Sequence, residues 1–552
     1  MELLVDLFGY LSIVIHGLTI LSQSMALGGA LFLVLLARPL ADRLGAAGPG
    51  IAAATARIAG FAALGLLLTE GATVALQAAV LTQTVDLPLS NVLAAHFAVA
   101  GLVKTAAALA LAVSLLGRRA RTPSWFLLAL TTVVLAAATL TTHAAARLDN
   151  RLPLLLVEGL HQLGAAIWIG GIPCFLLALA RLHDSTAWRL VSARFSRMSM
   201  AGVACIVVSG ATMSVLYIGD IPGFYGTAFG VMVGAKIILF LMLLALGGMN
   251  FLLTERLRRD PATPVTRLRR FAEVEFGIGI AIFFAAASLT SVPPAMDLPN
   301  DRVAWAEIVA RNAPDWPRLS TPDHDSLALP ALQAKLDIEA ADARPPAAFV
   351  PGAGELPPRN ANDIAWSEYN HHWAGLIVVG VGLLALLNRA GVGWARHWPL
   401  LFLALAVFLF FRADPENWPM GDNSFLESFR DIEVLQHRAA TLLLVAFTWF
   451  EWQVRVGRYK GTRAELVFPL LCIVGGVLLV THSHAIANIK EQLLIELSHT
   501  PLALLGITAG CARWLEIRLN PRENAVVWQI AGWTWPAAIL LCGLILLDYR
   551  EA

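Results

Sequence analysis

Apolar residues fill this chain in long stretches separated by short polar segments, from Leu7 almost to its last residue. A helix needs about 20 such residues to cross the hydrocarbon core of a bilayer. Candidate spans begin near Leu7, Ile58, Val92, Ser124, Leu154, Ser199, Gly226, Phe271, Trp366, Trp398, His437, Ala464, Leu494 and Val527. The pattern predicts an all-α polytopic membrane protein with about 14 transmembrane helices, the shortest apolar stretch being Leu400 to Phe411.

Charge then sets the sides. Every second loop is basic: Arg38/Arg43/Arg57, Arg118/Arg119/Arg121, Arg181 to Arg197, Arg256 to Arg270, Arg389/Arg396, Arg455 to Arg463 and Arg513/Arg518/Arg522 hold most of the 40 basic residues. Basic loops stay cytoplasmic during insertion, so both termini are expected to be extracytoplasmic. The alternate loops are short and poor in charge, except for one long proline-rich segment with little hydrophobic periodicity. The expected division is a membrane domain over 1–292, an extracytoplasmic connector over 293–365 and a second membrane domain over 366–552.

Composition agrees: 57% of the 552 residues are hydrophobic and 14% charged, more apolar than one soluble core can hide. A formal net charge of +1 excludes a nucleic-acid partner. The opening Met-Glu-Leu-Leu-Val-Asp has neither a basic n-region nor a clear cleavage site, so the first span is expected to be retained. Five cysteines sit inside apolar runs with no CxxC spacing, which argues against a disulfide framework and for small core residues.

The histidines are distributed unevenly. His16, His96, His143, His161, His371, His372, His437, His482, His484 and His499 all fall in the outer part of a predicted span or just beyond it, whereas His183 and His397 are cytoplasmic and His324 is in the connector. Imidazole is a ligand for copper, zinc, iron and nickel, so the ten are candidate metal ligands. Any one of them alone reads as an interfacial or helix-capping ring. Glu158, Glu433 and Glu496 precede His161, His437 and His499 by three or four residues, one helical turn, as second-shell partners or direct ligands. In the first span Ser12, His16, Thr19 and Gln23 form a polar stripe that should face the bundle interior, for helix–helix hydrogen bonding or as a permeation lining. Glu70, Lys104 and Lys236 lie within spans, where an ionisable side chain is either functional or part of a buried pair.

The chain also repeats. Glu158 and His161 recur 338 residues later as Glu496 and His499, and Cys174 and Cys205 recur 337 residues later as Cys511 and Cys542. The mapping pairs His96 with His437 and His16 with His371 or His372. Helices 1–6 match helices 9–14, and the even offset makes the two halves parallel, with both histidine sets opening to the same side.

Residues Arg194 to Pro294 resemble the core of the CopD copper-resistance family of bacterial inner-membrane proteins. The matching features are Arg194-Phe-Ser-Arg, Ser209-Gly210, Phe229-Gly230 with Lys236, Asn250, Glu275 and Leu289-Thr-Ser-Val-Pro-Pro294, preceded by His161-x6-Trp168-x-Gly170-Gly171. The family pattern has Tyr-Gly where this chain has Phe229-Gly230. The second half, with Glu416-Asn-Trp-Pro-Met-Gly-Asp and Thr481-His-Ser-His, looks like the extended form of copper-resistance D proteins. The resemblance implies copper handling across the cytoplasmic membrane, often beside a periplasmic copper-binding CopC protein; no CopC-like domain is recognisable in this chain.

The expected function is therefore copper transport across a bacterial inner membrane, uptake favoured over export, through outward-facing histidine and carboxylate clusters and not an enzymatic reaction. The alternative is a b-type cytochrome with histidine-ligated haem in the outer leaflet, for which His96/His161 and His437/His499 are the candidate pairs. A third reading is a copper-sensing or docking protein that uses the connector as its surface. No Walker A or aspartyl-phosphate motif is present, so coupling to ATP within this chain is not expected.

Overall fold

Lipid leaves a spanning backbone no hydrogen-bond partner but itself, and the apolar runs accordingly fold as helices. A computed structural model describes residues 7–84, 87–117, 122–147, 150–322, 330–342, 360–481 and 489–551. Its long helices are α1 (Phe8–Leu40), α2 (Ala47–Thr84), α3 (His96–Leu116), α4 (Ser124–Thr139), α5 (Arg151–Arg181), α6 (Ser185–Tyr217), α7 (Ala228–Arg259), α8 (Thr266–Leu289), α9 (Ala361–Arg389), α10 (Gly393–Arg412), α11 (Ile432–Arg455), α12 (Arg463–Val480), α13 (Ile489–Arg518) and α14 (Ala525–Leu547). Twelve of them are long and apolar enough to cross a membrane, which makes this a polytopic membrane protein. The two outside that set have evident reasons. Helix α4 is 16 residues long, and α11 carries Glu433, Arg438, Glu451 and Arg455 among its apolar residues.

The chain forms two compact units. One comprises Leu11–Gly219 and Ile238–Thr290; the other joins Asp220–Ile237 to the chain from Ser291 onward. In the first, α1 packs on α2, α2 on α3, α3 on α4, α4 on α5 and α5 on α6, and α6 returns to α1. In the second, α9 to α14 pack in the same succession and α14 returns to α9. Each set of six consecutive helices thus closes a ring with the same neighbour order.

Close crossings in the first ring rest on glycine. A Cβ on Gly28 of α1 would stand 2.1 Å from the Ala166 carbonyl oxygen, and one on Gly170 would stand 1.9 Å from that of Ser24, so α1 and α5 touch backbone to backbone. At this crossing α5 widens into a π segment, Ala166–Gly170, and α1 has its own at Leu33–Ala37. Such widenings displace carbonyls from the regular ladder. The Leu35 carbonyl accepts from Arg194 Nε and Nη2 at 3.3 and 3.2 Å, which gives the first arginine of the Arg194-Phe-Ser-Arg segment a positioning task.

The segment after α8 carries short helices, Trp305–Arg311 and Pro330–Asp342, after a turn at Ala295–Asp297, with irregular backbone over 298–304 and 312–322. Arg302 Nη1 reaches Asp220 Oδ1 and Oδ2 at 2.6 and 2.8 Å, and the Val303 N–H donates to the Gly226 carbonyl. The Arg302 guanidinium and the Gly223 N–H hold the Asp220 carboxyl below its usual range.

The second ring buries a charge network at the end of its helices where the basic loops attach. Glu451, fully buried, accepts from Arg455 at 2.6 Å and Arg513 at 3.1 Å. Glu516 accepts from Arg513 and Arg389, both at 2.7 Å, and from Trp535 Nε1 at 2.8 Å. The Arg455 guanidinium also lies over the rings of Trp398 and Trp535. These arginines, counted as loop charge in the sequence, turn inward.

Candidate functional site

Helix geometry brings several of the candidate residues into shared networks. In the first ring the α1 stripe meets α5: Gln23 Nε2 donates to Gln162 Oε1 at 2.9 Å, and Gln162 Nε2 donates to Glu158 Oε1 at 3.0 Å. Thr19, also buried, donates to its own helix at Ile15. At Gln23 the stripe therefore makes a helix–helix hydrogen bond. Half-buried His16 lies on the same helix.

His161, one turn past Glu158, places Nδ1 3.0 Å from Ser209 Oγ on α6. That hydroxyl donates to the Cys205 carbonyl at 2.6 Å, so it receives the imidazole N–H and the ring carries its lone pair on Nε2. Ser209-Gly210 owes its place beside His161 to the nearby crossing of Gly164 and Gly202, where a Cβ on Gly164 would stand 2.7 Å from the Gly202 carbonyl oxygen. His96 opens α3 and is exposed. His143 opens the short helix His143–Ala146.

In the second ring three aromatic side chains meet. His371 of α9 and His499 of α13 stand edge to face with ring centroids 5.9 Å apart, and Tyr549, just beyond α14, stacks on His371 at 3.7 Å. His371 Nδ1 lies 2.8 Å from the Ser367 carbonyl and His499 Nδ1 lies 3.0 Å from that of Ile495, so both rings also present lone pairs on Nε2. Glu551 accepts from Ser367 Oγ at 2.8 Å and from the Tyr549 hydroxyl. Glu496 is buried and accepts from Thr500 at 2.8 Å.

The adjacent His372 has a different fate. Its Nδ1 accepts the Arg318 N–H at 2.7 Å and its Nε2 donates to the Tyr549 carbonyl at 2.9 Å, so both nitrogens serve packing. His437 of α11 gives Nδ1 to Asp414 at 2.8 Å, and Glu433 one turn earlier is exposed. His482 and His484 fall outside the described residues. Among the described residues no three His, Cys, Asp or Glu side chains form a ready cage for a metal ion.

The intramembrane charges resolve in part. Glu70 of α2 and Lys104 of α3, each 3% exposed, pair at 2.7 Å. Lys236 is half-buried on α7.

One constellation was missed as a site from sequence. Trp168 Nε1 donates to Glu275 Oε2 at 3.2 Å, and Asn250 Nδ2 donates to Glu275 Oε1. Three residues quoted as separate marks of resemblance thus converge from α5, α7 and α8 on the wall of a cavity of about 520 Å³, which Ser192, Ser199 and Thr254 also line. The signal available was a carboxylate, an amide and an indole inside apolar spans.

Comparison with known proteins follows the same segment. Residues 189–289 match the family model for copper resistance protein D, CopD. The copper transport protein CutJ of Bacillus subtilis (strain 168) is 35% identical over 164 residues, which cover 29% of this chain and 29% of that protein. The match therefore spans about three-tenths of the curated relative's length. No solved structure matches. The likeness to the copper resistance protein D family thus rests on residues 189–289, the segment that carries Asn250 and Glu275.

Proposed function

We propose that this protein moves copper across the bacterial cytoplasmic membrane, uptake favoured over export, with histidines on the outer side as the capture sites. The observation that carries the reading is that His161 and His499, matched by the repeat, each have Nδ1 tied to an oxygen of the protein. Metal-binding histidines are usually held in this way, because the Nδ1 hydrogen bond fixes both tautomer and ring orientation. His371 and His437 follow the same rule through Ser367 and Asp414. A ring separation of 5.9 Å between His371 and His499 suits two imidazoles sharing one ion at metal–nitrogen distances of about 2 Å. The copper specificity comes from the family and from the name of the relative.

The topology belongs to the same proposal: fourteen spans, two parallel halves, outward termini and an extracytoplasmic connector over 293–365. The matching neighbour order of α1–α6 and α9–α14 supports it, as do the basic loops at alternate helix ends. The proposed capture residues are His161, His371, His437 and His499, with His16, His96, His143, His482 and His484 as further candidate ligands from the sequence. Glu158 and Glu496, one turn before His161 and His499 and bonded to Gln162 and Thr500, are the candidate carboxylates beside them, and a periplasmic CopC-like protein is the natural donor.

The purified protein in detergent is expected to carry copper, measured by mass spectrometry alongside zinc and iron, with no Soret band in its visible spectrum. His161→Ala combined with His499→Ala should lower the copper content. Stoichiometric iron with a strong Soret band would replace this reading with the cytochrome. Copper-loaded vesicles separate transport from docking, since a docking protein moves no metal.

A narrower test addresses orientation. Ser209→Ala removes the acceptor for His161 Nδ1 and leaves the imidazole in place, and is expected to weaken copper binding by about 10–100-fold. Competition against a copper chelator reads the change; an unaltered affinity would mean that Ser209 only packs α6.

A further inference from the structure

Glu275 is 3% exposed and lies within α8, and among the described residues no Lys or Arg pairs with it. The groups bonded to its oxygens are the Trp168 indole and the Asn250 amide, both neutral. Among the described residues it is also the only titratable group lining the cavity. On its own helix the nearby charges answer one another, Arg269 and Arg270 with Glu273. The part of α5 packed on α8, Ala166–Arg181, carries two titratable groups, the buried thiol of Cys174 and, at its end, Arg181, which donates to the Gly50 carbonyl. Among the other buried carboxylates, Glu70 is compensated by Lys104 and Glu451 by Arg455 and Arg513, whereas Glu496 accepts from the neutral Thr500 hydroxyl and lines no part of this cavity.

An ionised carboxylate at this depth without a countercharge is costly. A carboxyl retained there with room beside it is suited to a group that changes charge state. The room is the cavity of about 520 Å³, bordered by the polar atoms of Ser192 and Ser199, of which Ser192 Oγ is buried and has no hydrogen-bond partner. The cavity also opens on the flank of α6, where Val208, one of its lining residues, is 60% exposed.

We propose that Glu275 is a proton-exchange site, taking up and releasing a proton through this cavity while Trp168 and Asn250 hold the carboxyl in place. Its use for coupling proton movement to copper movement rests on the copper-transport reading above; proton exchange at Glu275 does not.

Dicyclohexylcarbodiimide, an apolar reagent that adds to a protonated carboxyl and not to a carboxylate, tests the exchange on the intact wild-type protein in phospholipid vesicles. Peptide mapping should find the adduct at Glu275, falling as pH is raised, with Glu70 and Glu451 unlabelled as paired comparators. Loss of the adduct in Glu275→Gln confirms the assignment. No adduct at any pH, or one independent of pH, overturns the proposal. In copper-flux vesicles carrying a pH-sensitive dye, Glu275→Gln should abolish the copper-linked pH change and leave copper binding intact. Wild-type copper flux with no pH change overturns the coupling. Wild-type vesicles that move no copper overturn the transport reading, and the labelling result still decides Glu275.

Discussion

Replacing Lys104 by Met is expected to cost about 3–5 kcal/mol of stability, because it leaves the buried Glu70 carboxylate without its partner. The pair joins α2 to α3 at 2.7 Å with both side chains 4% exposed, so water cannot take over the charge. Adding Glu70→Leu should recover most of the loss, since a buried ion pair exchanged for apolar side chains is often neutral in stability. Unfolding in a graded series of SDS mole fractions measures both variants, and the double-mutant cycle isolates the pair. A cost below about 1 kcal/mol, the range of exposed pairs, would contradict the burial. The double variant also decides between the two meanings of an intramembrane charge: a folded protein that still moves copper makes the pair structural, and one that folds but moves none makes it part of the path.

The spans were legible because lipid imposes a simple rule on composition. Where the rule weakened, the cause was local: α11 needs Glu451 and Arg455 for an internal network that lowers its apolarity, and α4 is short. Charge sign alone could not tell a loop arginine from an inward one. Arg389, Arg455 and Arg513 sit at helix ends like retained basic residues, and only the facing glutamates on neighbouring helices show them to be buried. Rotation about the helix axis was equally hidden. Glu275, Asn250 and Trp168 are 25 and 107 residues apart along the chain, and nothing in their local sequence says that they share one wall. The histidine repeat was legible as a spacing. The oxygens that fix Nδ1 of His161 and His437 were not, because Ser209 and Asp414 come from other segments of the chain.

His371 and His372 give the strongest discrimination available at the second-half cluster, because neighbours in sequence have opposite surroundings. His371→Ala and His499→Ala are each expected to abolish copper retained by this cluster, since either leaves a single imidazole where two now meet. His372→Ala is expected to leave copper retention unchanged. It should instead lower stability by about 1–3 kcal/mol, the usual cost of stranding buried partners, here the Arg318 N–H and the Tyr549 carbonyl. The comparison needs copper content and SDS unfolding on all three variants in a His161→Ala background, so that the first-half site does not mask the result. Tyr549→Phe keeps the stack on His371 and removes only the hydroxyl that reaches Glu551, so it should retain copper. Copper lost with His372→Ala and kept with His371→Ala would reverse the assignment, making the doubly bonded imidazole the ligand and the Tyr549 carbonyl a group that must swing away before copper binds.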